Sequence, residues 1–169
     1  EKFAEILGGK AIVFPYADGE LPDSEEVRFE LCDLIRQYKP TAVMTHWKNS
    51  MHKDHETAHR IVKDACFFAG LAGLERKDAA HFAKGPYYAQ NWEDADGFIP
   101  YAYMEVTVEG FELWKKAIGE HWFAVHSRDF KYKEYYEHLM RCNGCLARTE
   151  YAEAFMVDPH SQKLLLKEF

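Results

Sequence analysis

Apolar positions in this chain fall in short blocks whose period changes along its length. Residues 2–7 read as the end of an amphipathic helix stopped by Gly8 and Gly9. Residues 11–16 are a short apolar run that leads into Pro15, Tyr16, Ala17, Asp18 and Gly19, the pattern of a buried strand entering a loop. Asp23 or Ser24 can cap a helix over residues 25–38, with Val27, Leu31, Leu34 and Ile35 on one face. Lys39 and Pro40 stop it, and residues 41–46 read as a second buried strand. After a polar loop, Ala58, Ile61, Val62, Ala65 and Phe68 repeat at helical spacing and predict a helix over residues 54–69, ended by Gly70 and Gly73. This alternation implies parallel strands joined by right-handed crossovers, with sites at the strands' C-terminal ends, where Asp18 and the His52 region both fall.

Further along, residues 86–90 and 101–108 are aromatic and β-branched and predict strands on either side of a loop at 91–100. Residues 109–127 and 132–146 read as helices, and residues 151–157 as a final extended segment. Neither an internal repeat nor a low-complexity tract interrupts the pattern, so one domain over residues 1–169 is expected.

Composition narrows the class of function. The 169 residues, 47% hydrophobic and 15% aromatic, are enough for one sizeable core. A net charge of -7 and a pI near 5.7 argue against broad binding to nucleic acid or to an anionic membrane, and favour a small-molecule substrate or a protein partner. No apolar run is long enough for a membrane span and Glu1, Lys2, Phe3 and Ala4 do not resemble a signal peptide, so the cytoplasm is the default compartment. Cys32 and Cys66 sit in apolar helical patterns as buried thiols. The CxxC pair Cys142 and Cys145 follows a helix-like stretch and has no second CxxC to complete a zinc site.

The chemistry is concentrated between His46 and His59, where His52, Asp54 and His55 crowd a strand-to-helix loop. Imidazole is the commonest protein ligand for zinc, and a neighbouring carboxylate can fix its tautomer. His-x-Asp-His can therefore supply a ligand and an oriented acid/base together. The bland alternative is a polar loop in which Asp54 only caps the next helix. A third reading uses His55, Glu56 and His59, an HExxH sequence on the predicted helix, as a zinc metallopeptidase motif, with Glu75 a conceivable further ligand.

Leu7 and Gly8 before a strand, Asp18 and Gly19, the run Ile35, Arg36, Tyr38, Lys39, Pro40, a strand ending near His46, and His52-x-Asp54-His55 resemble the LmbE/PIG-L deacetylases in order and spacing. The resemblance extends to Tyr151, Ala152, Glu153, Ala154 and Phe155. It implies an α/β fold, a Rossmann-like three-layer α/β/α sandwich with a mostly parallel sheet. It also implies a zinc-dependent hydrolase, another divalent metal being an alternative, that removes an acetyl group from an N-acetylglucosamine-type or related small conjugate. Two departures stand out. Lys53 replaces the family's Pro, and the family's N-terminal Ala-His-Pro-Asp-Asp motif, which supplies two zinc ligands and a general base, does not occur in this sequence. A chain represented without its N-terminal part is the expectation that follows.

Carried over by position, the resemblance makes His55 a zinc ligand, His52 a second acid/base or oxyanion partner with Asp54 orienting its ring, and Asp18 a contact for sugar hydroxyls. Tyr132 becomes the candidate hydroxyl directed to the oxyanion, with Tyr135 and Tyr136 as rivals and a packed aromatic helix face as the alternative. Glu153 reads as structural. Family relatives often form hexamers or smaller assemblies, which leaves a homo-oligomer open. So does a non-catalytic subunit of the same fold that binds a sugar or a partner.

Overall fold

A computed structural model of the protein describes residues 1–161. The chain divides into two compact units, one built from residues 1–15 and 103–154 and the other from residues 16–102 and 155–161.

In the second unit, Ser24 accepts a hydrogen bond from the Val27 amide and starts helix α2 (Glu25–Tyr38), which ends where Lys39 takes a left-handed conformation. Strand β1 (Ala42–Thr45) follows, then helix α3 (Lys53–Gly70) and strand β2 (Lys84–Ala89). Helices α2 and α3 pack through Cys32, Ile35, Ala65 and Ala69, with Val43 of β1 against the same cluster, so the helical layer seals one face of the strand. Strand β1 runs parallel to β2, Met44 opposite Tyr87 and Thr45 opposite Tyr88, with a register shift after Ala42. Gly85 sits at that shift with φ +105°. A Cβ there would lie 2.6 Å from the Val43 carbonyl oxygen, so no other residue fits without moving the strand.

On its other edge β2 pairs antiparallel with strand β4 (Tyr151–Met156) through Tyr88 and Met156 and through Ala89 and Phe155. The sheet is therefore mixed rather than uniformly parallel. Trp47, Tyr88 and Met156 make the second core cluster of this unit, with Phe98 packed on it.

The first unit holds α1 (Lys2–Ile6), β3 (Ala102–Val106, entering it at Tyr103), α4 (Val108–Ile118), α5 (Trp122–His126), α6 (Tyr132–Ala147) and most of β4. Its core is Phe111, Met140 and Tyr151, the Phe111 and Tyr151 rings stacked at 4.0 Å. The helix expected over 109–127 is broken. Thr107 caps α4, and the chain leaves the helix at Gly119 before α5 restarts at Trp122. Gly119 is a poor helix interior residue, and with its entropic cost the break is the cheaper conformation. Cys142 and Cys145 both lie exposed inside α6, unlike a dithiol that opens a helix.

Residues 11–16, expected as a strand, form none. Val13 is 81% exposed and Ile12 46%. Apolar, β-prone residues become a strand only where a neighbouring edge takes up their amides and carbonyls, and this run is not one of the strands of the sheet among the described residues.

Candidate active site

All the candidate chemistry except Tyr132 gathers in the second unit, where β1 hands over to α3. Trp47, one residue past the strand-end His46, is buried and donates its indole N–H to the Asp96 carbonyl at 2.9 Å, which pins the 91–97 loop against the 46–52 loop. His52 is the N-cap of α3, its Nδ1 accepting from the Asp54 amide at 3.2 Å. Its Nε2 faces Asp18, 3.2 Å from Oδ1. Asp54 holds the His52 ring through its backbone amide rather than through its carboxylate, the group that the motif alone suggests. Its Oδ2 accepts from the Gly19 amide at 2.7 Å, while Lys53 Nζ donates to the Gly19 carbonyl at 2.8 Å. Two consecutive residues of α3 thus clamp the loop that carries Asp18. The other oxygen, Asp54 Oδ1, is buried with no hydrogen-bond partner. Asp18, His52 and Asp54 present ligand atoms within 4.8 Å of one another.

His55, one helical turn further in, meets polar groups at Nδ1 and two other imidazoles at its ring. Its Nδ1 is 3.0 Å from Asp94 Oδ1 and 3.2 Å from Ser50 Oγ, and Glu93 Oε2 lies 3.5 Å away. Its ring stacks on His46 at 3.7 Å and on His52 at 4.7 Å. Burial alone would lower the His55 pKa, but the hydrogen bond and charge of Asp94, with Glu93 and Asp54 behind it, outweigh that and raise it above 6.5.

Asp94 was not among the residues that the motif reading singled out. It lies in a single 3-10 turn, Trp92–Asp94, capped by Asn91, and is completely buried. Its second oxygen is 3.0 Å from His46 Nδ1. Burial works to raise its pKa, yet hydrogen bonds from His46, His55 and Ser50 hold the carboxyl far below the usual carboxylate range. The only signal for it in the sequence is an Asp within a loop of turn-forming residues, which is too common to select one. Beside it, Asn49, Ser50, Met51, Glu56, Glu93 and Asp96 line an open cleft of about 350 Å³.

His59 does not join this group. It is 5% exposed, its Nδ1 bonds to the His46 carbonyl at 3.0 Å, and its ring packs on Tyr88 and Trp47. Burial lowers its pKa. The metal-competent clusters among the described residues contain His55 and His52 but not His59, and Glu75 lies exposed beyond the end of α3. The HExxH reading loses its second histidine to the core. Tyr132 opens α6 in the other unit and packs against Phe123 and Phe130 with ring centres at 5.2 and 4.7 Å.

The family model described as PIG-L, GlcNAc-PI de-N-acetylase, matches residues 1–66, a stretch that includes Asp18 and the whole run from His46 to His59. That match covers less than half of the chain. A diacetylchitobiose deacetylase of Thermococcus kodakarensis is 38% identical over 82 residues, 46% of this chain and 31% of that protein, so the chain matches less than a third of that relative's length. Among solved structures, the 4-carboxy-2-hydroxymuconate hydratase GalB of Pseudomonas putida has a TM-score of 0.81 at 20% identity, over 97% of this chain and 71% of that one. A conserved protein of Thermus thermophilus has 0.78 at 22% identity, over 96% and 72%. The N,N'-diacetylchitobiose deacetylase of Pyrococcus horikoshii, complexed with an inhibitor, has 0.67 at 23% identity, over 93% and 60%. These three likenesses show that the chain has their α/β fold.

Proposed function

We propose that this protein is a zinc-dependent N-deacetylase that acts on an N-acetylglucosamine-type conjugate. The observation that supports this best is the pairing of His55 Nδ1 with a buried carboxylate at 3.0 Å, in the segment that matches the PIG-L family. A metal-bound imidazole is normally backed in this way, and an Nδ1 so engaged leaves Nε2 as the donor. The donors present suit zinc, which takes imidazole nitrogen and carboxylate oxygen. His55 would hold the ion through Nε2. When bound, zinc polarises an amide carbonyl and lowers the pKa of water towards about 7.

The chain's own residues then divide the work. His52, anchored through Nδ1 at the helix cap, keeps Nε2 for proton exchange and acts as acid/base towards the departing amine. Asp18, whose side chain is 93% exposed, holds His52 only by a solvent-facing pair. Such pairs are weak, so Asp18 can turn to a sugar hydroxyl when substrate enters. Asp54 and Lys53 keep that loop in place. A homo-oligomeric assembly in the cytoplasm is the form we propose.

The test is acetate release by the intact protein from a panel of N-acetylated amino sugars. Activity should vanish with a chelator and return with zinc, and His55→Ala should abolish both activity and tight zinc binding. Zinc-replete protein that releases no acetate from any of them, or that cleaves casein in a manner lost on Glu56→Gln, would refute the proposal.

A further inference from the structure

His46 directly follows strand β1, and it shares its acid partner Asp94 with His55. Asp94 gives one oxygen to each ring, at 3.0 Å in both cases, and always to Nδ1. The two rings lie nearly parallel, 11° apart, with centres 3.7 Å from each other. An ionised carboxylate can only accept hydrogen bonds, so each Nδ1 must carry a proton. In a neutral imidazole the proton on Nδ1 leaves Nε2 bare. Two parallel rings tied at the same nitrogen to one fully buried group turn their second nitrogens away from it together.

We infer that Asp94 is a positioning residue that locks His55 and His46 in the same Nδ1–H tautomer. It thereby leaves His55 Nε2 as the metal donor and adds His46 Nε2 to the site as a second bare acceptor, facing a substrate hydroxyl or amine. The metal part of this inference rests on the deacetylase reading; the tautomer part does not. A competing use of the same atoms, with Nδ1 of both histidines and Asp94 as the ligand set, requires the opposite tautomer and is separated by the same measurement.

The experiment is long-range 15N–1H correlation of the imidazoles in the metal-free, full-length protein, at a pH well above the imidazole range, with zinc affinity measured in parallel by competition with a chromogenic chelator. In the parent, both rings should report protonated Nδ1 and bare Nε2. In Asp94→Asn, the amide oxygen can accept from one ring, whereas the NH2 must donate to the other, so one ring should switch to the Nε2–H form. Zinc affinity should fall roughly 10- to 100-fold. Protonated Nε2 on either ring of the parent overturns the inference without any variant having to fold. Unchanged tautomers or unchanged zinc affinity in Asp94→Asn overturn it as well. A parent with both rings in the expected tautomer that fails to bind zinc would instead sink the deacetylase reading.

Discussion

His55 and His59 lie one helical turn apart, and their different surroundings decide what each can do. His55 is proposed to keep Nε2 for a metal, whereas His59 gives Nδ1 to a carbonyl and its ring to Trp47 and Tyr88. His59→Ala should therefore leave zinc content unchanged and cost about 2–4 kcal/mol of stability, as a core truncation does, in a urea titration with metal analysis alongside. The pH dependence has a definite sign. The folded pKa of His59 lies below the unfolded value of 6.5, so the unfolded chain binds the proton first. Its contribution is fully present above 6.5 and is lost as pH falls from there through the folded pKa. The parent should lose more stability than His59→Ala over that window, and parallel pH profiles would contradict a buried neutral ring. His52 should behave differently again. His52→Ala should lower kcat by roughly 10² to 10⁴ with zinc content near that of the parent. Loss of the cap would add about 1 kcal/mol of destabilisation. An unchanged kcat in the zinc-replete variant would remove His52 from the mechanism.

The elements of the second unit were largely legible because their signals are local. Ser24, Lys39 and Pro40 bound α2, and the apolar period of α3 holds from Thr57 to Ala69. What could not be read is what ties one element to another. Arg36 occurs in the run that resembles the family, yet nothing in that run says that it is buried in α2 and donates to five carbonyls. Those are Phe68, Ala69 and Leu71 at the end of α3, and Leu74 and Asp78 beyond it, at 2.8–3.2 Å. A helix leaves its last carbonyls without partners, and here one guanidinium fork supplies them. Arg36→Met should cost about 3 kcal/mol or more, because it leaves buried acceptors unsatisfied. Arg36→Lys should recover only part of this, since a point-like ammonium has fewer donors and no fork. Equal stability of Arg36→Lys and the parent, by urea denaturation, would show that charge alone suffices. The Asp94 contact was hidden for a related reason: it joins a 3-10 turn to residues 39 and 48 positions away.

For the whole molecule, the fold leaves the reaction open, since both a hydratase and a deacetylase share it with this chain. The composition does not decide between them either. A net charge of -7 suits a neutral or cationic ligand better than an anionic one, but it is a property of the whole surface rather than of the site. The discriminating features are local. A hydratase whose substrate is a polycarboxylate needs cationic side chains to hold it, whereas the cleft beside His55 is lined by Glu56, Glu93 and Asp96. Those carboxylates repel a polyanion, and they attract the ammonium group that amide hydrolysis leaves on an amino sugar. The intact, zinc-loaded protein should therefore release acetate from an N-acetylglucosamine-type conjugate and leave 4-carboxy-2-hydroxymuconate unchanged under the same conditions. Replacing Glu93 and Asp96 together by Gln and Asn should weaken inhibition by the amino-sugar product more than it changes kcat, because neither carboxylate is assigned a proton transfer. Acetate assay, absorbance of the unsaturated acid and product-inhibition constants measure the three quantities. Turnover of the polycarboxylate with no acetate release would assign this protein to hydration, and product inhibition unaffected by the double substitution would show that the acidic wall takes no part in binding.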